Sequence, residues 1–242
     1  VTEDPRNAIG YSQLAALQSR SGKWKEAAET YRKWAEVDPK NPDAFNALGM
    51  AAMFSGDRDT QLYAYQRLYA LRPDDASRSS LAQAYVGRQA VEQAVELYRP
   101  LVKKTPRYRE EIARIYSQAG RPEDGIKELQ EWTKAEPRNA DAWESLGNGL
   151  REQSRFDDAR KAYASMKPVA PKVAAPYVRI AETWTREGKR DEALKELEGA
   201  PKDAKDIASA YRLMGSTLET ESKLVEAADA DRKAAAADKN DV

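Results

Sequence analysis

The chain contains no cysteine and no histidine. Without them it has no thiol nucleophile, no disulfide, no imidazole base and no zinc site of the usual Cys/His kind, so neither a metal nor a cofactor is expected. No apolar run approaches the roughly eighteen residues needed to span a bilayer, which argues against direct membrane insertion. An excess of one charge is also lacking. Lys+Arg and Asp+Glu are both 40, a formal net charge of zero, so nothing favours nucleic acid or an anionic membrane surface as a partner. Glycine is sparse, 12 residues of 242, and with 33% charged and 41% hydrophobic residues the composition fits a soluble helical protein. Lack of cysteine suits a bacterial cytoplasm and a periplasm equally, leaving the compartment unknown. The chain begins at Val1 with neither Met nor a signal peptide, the form of a processed or trimmed product.

What the chain does have is a period. Prolines stand at 5, 39, 73, 106, 137 and 171, with spacings of 34, 34, 33, 31 and 34 residues. Aligned on them, the second repeat reads Phe45, Leu48, Gly49, Ala52, a breaker at Gly56, then Tyr65, Leu68 and Pro73. The fifth gives Trp143, Leu146, Gly147, Leu150, Phe156, Ala159, Tyr163, Met166 and Pro171. Apolar residues three and four apart predict two short amphipathic helices with a turn between them.

On these residues the chain resembles the tetratricopeptide repeat family: an aromatic, then Leu-Gly and a large residue in the first helix, followed by Ala, an aromatic and a closing Pro in the second. The resemblance covers seven repeats, roughly 8–41, 42–75, 76–106, 107–139, 140–173, 174–206 and 207–238. It implies an all-α fold, a right-handed superhelix (α-solenoid) of about fourteen antiparallel helices, read as a single domain over 1–242. The aliphatic column is Leu14, Leu48, Leu81, Ile112, Leu146, Ile180 and Met214. The next residue is always small: Ala15, Gly49, Ala82, Ala113, Gly147, Ala181, Gly215. A second small column, Ala27, Ala94, Gly125, Ala159, Ala193 and Ala227, is broken only by Gln61. Small residues are needed where the two helices of a repeat cross.

The departures carry information too. Arg78 and Arg109 replace the opening aromatic in the third and fourth repeats, which are also the short ones, so the array should be least regular near Gly87 and Pro106. Gly199 and Pro201 should cut short the second helix of repeat six. Asp4-Pro5-Arg6-Asn7 has the form of the internal boundaries Asp38-Pro39-Lys40-Asn41 and Glu136-Pro137-Arg138-Asn139, so the chain should start just after another helix. At the far end, Asp231 and Ala234 occupy the columns of Tyr163 and Met166, which reads as a polar cap fraying beyond Ala237.

The resemblance also implies that the first helices line a concave, ligand-holding groove. No Lys occurs in them, and inner positions include Ser12, Ala16 and Ala47, so a Lys/Asn clamp for a terminal carboxylate is not expected. The groove reads as two surfaces in series. In the neutral half, Met50, Met53 and Phe54 should turn away from the packing face, with Ser12, Gln13, Asn46, Ser79, Gln83 and Val86 as neighbours. Methionine adapts to an apolar side chain and Asn or Gln holds a peptide backbone; filling between adjacent helices is the plainer role for Met53 and Phe54. In the charged half, Glu110 with Arg114 and Glu182 with Arg186 have the spacing of exposed intrahelical pairs. Glu144, Asn148, Arg151 and Arg179 form a mixed-charge set able to register a charged segment.

Catalysis has little support. The acid pairs Glu110/Glu111 and Asp157/Asp158 are adjacent and so splay about 100° apart on a helix, and no phosphate loop or nucleophile elbow occurs. The sequence reads as a non-enzymatic adaptor that binds a peptide or helical segment of another protein and helps to assemble or localise a complex. The alternative is a structural protein that associates with itself through its N-terminal end.

Overall fold

A computed structural model describes residues 7–238, which form fifteen helices and no strand. Asp4, Pro5 and Arg6 of the first boundary and residues 239–242 of the expected fraying tail lie outside the described residues. The chain divides between Lys103 and Lys104 into two compact bodies. The first holds α1 (Ala8–Arg20), α2 (Trp24–Val37), α3 (Pro42–Ser55), α4 (Arg58–Leu71), α5 (Asp75–Gly87), α6 (Val91–Glu96) and α7 (Arg99–Val102). The second holds α8 (Tyr108–Gln118), α9 (Pro122–Ala135), α10 (Ala140–Glu152), α11 (Phe156–Ala164), α12 (Ala175–Arg186), α13 (Arg190–Glu198), α14 (Ile207–Thr220) and α15 (Leu224–Asp238).

Fifteen helices replace the expected fourteen because the second helix of the third repeat is broken into α6 and α7. Proline has no N–H and its ring collides with the carbonyl four residues earlier, so a helix stops there. Pro100 accounts for the end of α6 at Glu96, and Pro168 for the end of α11 at Ala164. Pro201, with Gly199, ends α13 at Glu198 as expected.

Each repeat turns between its two helices through one residue at positive φ. Glycine takes that place at Gly22, Gly56, Gly120 and Gly188, whereas Gln89, Ser154 and Ser222 adopt it at φ near 60°. A side chain there costs about 1 kcal/mol, so repeats three, five and seven carry strain that the others avoid. The boundaries between repeats have their own chemistry. Asn41 and Asn139 cap α3 and α10 by accepting from the amides of Asp43 and Asp141 at 3.0 and 2.9 Å. Their side-chain amides donate back to Asp38 and Glu136 at 2.9 and 2.8 Å, so acid, proline and asparagine act together.

Both small columns are buried throughout, from Ala15 to Gly215 and from Ala27 to Ala227, and Gln61 is only 9% exposed. The reason differs between sites. A Cβ on Gly125 would lie 2.7 Å from the Ala113 carbonyl oxygen, a crossing of backbones, whereas one on Gly49 or Gly147 would strike the ring of Tyr65 or Tyr163. The two arginines that displace the aromatic have replacements of their own. Arg78, 7% exposed, pairs with Asp75 and stacks over Tyr69 and Tyr98, and Arg109 reaches Glu128 on α9 at 2.8 Å.

The aliphatic column is not covered uniformly. Leu48, Leu81, Ile112, Leu146 and Ile180 are 0–6% exposed, Met214 is half-buried, and Leu14 is 40% exposed. This column packs on the second helix of the preceding repeat, as Leu48 and Ala51 do with Ala27 and Ala28, and no helix precedes α1 among the described residues. The last helix is not uniformly polar either, since Leu224 and Val225 in its first turn are 67% and 78% exposed.

Asp206 supplies a long-range cap in the second body. Its two carboxylate oxygens accept from the amides of Ala174 and Ala175 at 2.7 and 2.8 Å, stapling the start of α12 to the loop before α14. Asp206→Ala should cost about 1–2 kcal/mol, the loss of a charged cap, and Asp206→Asn should recover part of it. The check is the urea midpoint at unchanged slope; a shift within error would mean that water satisfies those amides equally well.

Candidate functional site

Three of the expected site residues, Glu110, Arg114 and Asn148, meet at a cleft in the second body, formed by α8, α9 and α10. On α8, Glu110, Ala113, Arg114, Ser117 and Gln118 follow the three-and-four spacing of one helix face; on α10, Ser145, Asn148, Gly149 and Glu152 do the same, with Gln153 just past its end. Between these faces runs a cleft of about 400 Å³ whose floor is Ala113, Gly125, Ile126, Leu129 and Gly149. The floor is deep because three of those residues are Gly or Ala. The rim is polar, so an apolar side chain can be taken up while hydrogen-bonding groups surround it.

Glu110 reaches across the cleft. It accepts from the Ser145 hydroxyl on α10 and from Arg107 Nε at 3.2 Å. Arg114 pairs with Glu111, its Nε lying 3.1 Å from the carboxylate. The expected Glu110–Arg114 pair is therefore corrected: a partner on the next first helix draws Glu110 one way, and an acid three residues earlier holds Arg114 the other. The expected Glu182–Arg186 pair is corrected as well. Glu182 Oε2 takes Arg151 Nη1 at 2.8 Å and Arg179 Nη1 at 3.4 Å, and Arg186 makes no ion pair among the described residues.

Glu144, Arg151, Arg179 and Glu182 form one chain of ion pairs between α10 and α12, completed by Arg179 Nε to Glu144 at 2.9 Å. The set is neutral and half-buried, which favours fixed geometry over free charge. Beneath it lies Tyr163, a core column residue in the sequence, whose hydroxyl donates to Asn148 Oδ1 at 2.8 Å. Burial pushes the Tyr163 hydroxyl up to about 12. The folded chain keeps this proton after the unfolded chain has lost it, so the stability held below about pH 10 falls as pH climbs toward 12. Asn148 thus lines the cleft while its side-chain oxygen is held by Tyr163. Sequence spacing placed Asn148 beside Arg151 but gave no sign of the tyrosine that orients it.

The neutral set lies wholly in the first body. Met50, Met53 and Phe54 are 46%, 43% and 53% exposed, and Gln13 and Gln83 are also exposed. Ser12, Asn46, Ser79 and Val86 are half-buried. Phe54 stacks on Trp24 of α2, ring centroids 4.5 Å apart, so it contacts the preceding repeat. No helix among the described residues is long and apolar enough to cross a membrane.

The family model described as Tetratricopeptide repeat matches residues 13–76 and 110–174. Among solved structures, a tetratricopeptide repeat protein from Parabacteroides merdae is 16% identical, with 95% of this chain and 92% of that chain covered and a TM-score of 0.46. A structure of Pseudomonas aeruginosa pilF is 16% identical over 81% of this chain and 91% of that one, TM-score 0.44. No curated protein matches the chain. With the family model spanning more than half of the sequence and small residues buried at the helix crossings of every repeat, the chain belongs to the tetratricopeptide repeat family.

Proposed function

We propose that the protein is a non-enzymatic adaptor that holds a peptide or helical segment of another protein in the cleft of α8, α9 and α10, and so assembles or localises a complex. The observation that carries this is the apolar floor bounded by Glu110, Arg114, Ser117, Ser145 and Asn148 in a volume of about 400 Å³, enough for one large side chain and its neighbours. The ion-pair chain of Glu144, Arg151, Arg179 and Glu182 holds α10 and α12 in register, keeping Asn148 set to bond a backbone. Met50 and Met53 offer an adaptable contact on the first body.

Ser117 is exposed on the rim and makes no packing contribution to the floor, so Ser117→Trp should plug the cleft without unfolding α8. One buried anchor supplies about 2 kcal/mol, and its exclusion should weaken binding by more than about tenfold. The test is a displayed random-peptide library selected on the wild-type chain, with the enriched peptides titrated by fluorescence anisotropy against both proteins. An apolar anchor among the enriched peptides and its loss on Ser117→Trp support the reading. No enrichment, or peptides that bind the variant equally well, would overturn it.

A further inference from the structure

Most charged side chains on α8, α10 and α12 are matched within the molecule. Arg109 pairs with Glu128, Glu110 with Arg107 and Arg114 with Glu111, while Glu144, Arg151, Arg179 and Glu182 form their own chain. Among the described residues of these helices, Asp141, Glu152 and Arg186 make no ion pair. Two of the three have the helix dipole in their favour. Asp141 lies in the first turn of α10 and Arg186 in the last turn of α12, the ends that stabilise an acid and a base. Glu152 has neither kind of support: it is the last residue of α10, where the dipole is negative and an acid is disfavoured.

Glu152 is exposed and lines the cleft. Gln118, the last residue of α8, and Gln153, just past α10, line it as well, so the negative ends of two helices border the cleft beside this carboxylate. Pro122 opens α9 there, and the positive end it brings is met by Glu123 and Asp124 in the first turn of that helix. Glu110 and Arg114 bring one charge of each sign, and Asn148, Ser117, Gln118 and Gln153 are neutral. The net sign of the rim is set by Glu152.

We infer that the segment held in the cleft carries a lysine or arginine beside its apolar anchor, the anchor entering over Ile126 and Leu129 and the cation meeting Glu152. This rests on the adaptor reading and specifies the chemistry of its partner. A segment with an apolar residue next to a base satisfies the floor and the unmatched carboxylate together. An acidic segment would bring like charge to Glu152 and to two helix C-terminal ends, so the same group that attracts one partner class rejects the other.

The test is selection of one displayed random-peptide library on wild type and on Glu152→Lys in parallel. Wild type should enrich peptides in which an apolar residue has Lys or Arg within a few positions. Glu152→Lys should keep the apolar residue and lose the base or exchange it for an acid. A peptide selected on wild type, titrated by fluorescence anisotropy at low salt, should bind Glu152→Gln about two- to fivefold more weakly, the effect of one exposed pair, and Glu152→Lys more than about tenfold more weakly. Both differences should narrow in high salt, where exposed charges are screened. Urea midpoints should equal or slightly exceed wild type, because each variant removes an acid from the negative end of α10, so weaker binding cannot be put down to unfolding. Apolar-anchored peptides with the same flanking charges on both proteins, or equal affinity for wild type and Glu152→Lys, would overturn the inference and leave the adaptor reading standing. No enrichment on wild type would overturn both.

Discussion

Gly147→Leu should lower the stability of the second body by about 3 kcal/mol, the upper end of the usual overpacking range. A bare Cβ at Gly147 would sit 2.3 Å from Tyr163 Cε1, so the first atom of any side chain already collides with the ring. The ring cannot yield, because Tyr163 is fully buried and its hydroxyl is held by Asn148. The displacement should therefore reach the wall of the cleft and reduce peptide capture along with stability. Gly87→Ala is the control: nothing lies within 4 Å of its added Cβ, and the change should stay within about 0.5 kcal/mol of wild type. Urea unfolding followed by circular dichroism reads both. Equal midpoints for the two variants would show that the Gly147–Tyr163 contact relaxes freely.

Trp132→Ala should cost about 3–5 kcal/mol, the cavity left by a fully buried aromatic ring. Trp132 is 1% exposed and packs with Ile126, Leu129 and Leu146 in the core of the second body. Its indole N–H also donates to Glu136 Oε2 at 2.7 Å, the oxygen that receives the Asn139 side chain at the next boundary. Trp132→Phe separates the two contributions. If packing dominates, Phe should recover more than half of the loss; if Phe is as damaging as Ala, the bond to Glu136 carries the effect.

The helix pairs were legible because their determinants are local or strictly periodic. Leu146 and Gly147 announce a buried crossing by recurring at the same place in every repeat, and Gly199 with Pro201 announces a stop by covalent geometry. Pro100 carried the same signal for α6, but the repeat pattern concealed it, since an array aligned on its closing prolines invites the reading of an unbroken second helix. The split between Lys103 and Lys104 was foreshadowed only by the short third and fourth repeats.

Of the residues that line the cleft, the sequence singled out Glu110, Arg114 and Asn148 but not Ser117, Ser145 or the apolar floor. Glu110, Arg114 and Asn148 all line the cleft, yet intrahelical spacing paired Glu110 with Arg114, while the folded chain turns Glu110 to Ser145, 35 residues away. By itself the sequence determined the family, the small columns and most helix ends, because these depend on backbone sterics repeated at a fixed interval. Only the tertiary structure decided which long side chains meet, that Tyr163 orients Asn148, and that Leu14 stands exposed where Leu48, Leu81, Ile112, Leu146 and Ile180 of its column are covered. Those outcomes depend on what the neighbouring helix presents. A flexible arginine or glutamate reaches several partners on its own helix and across the groove, and their relative positions, absent from any local pattern, choose among them.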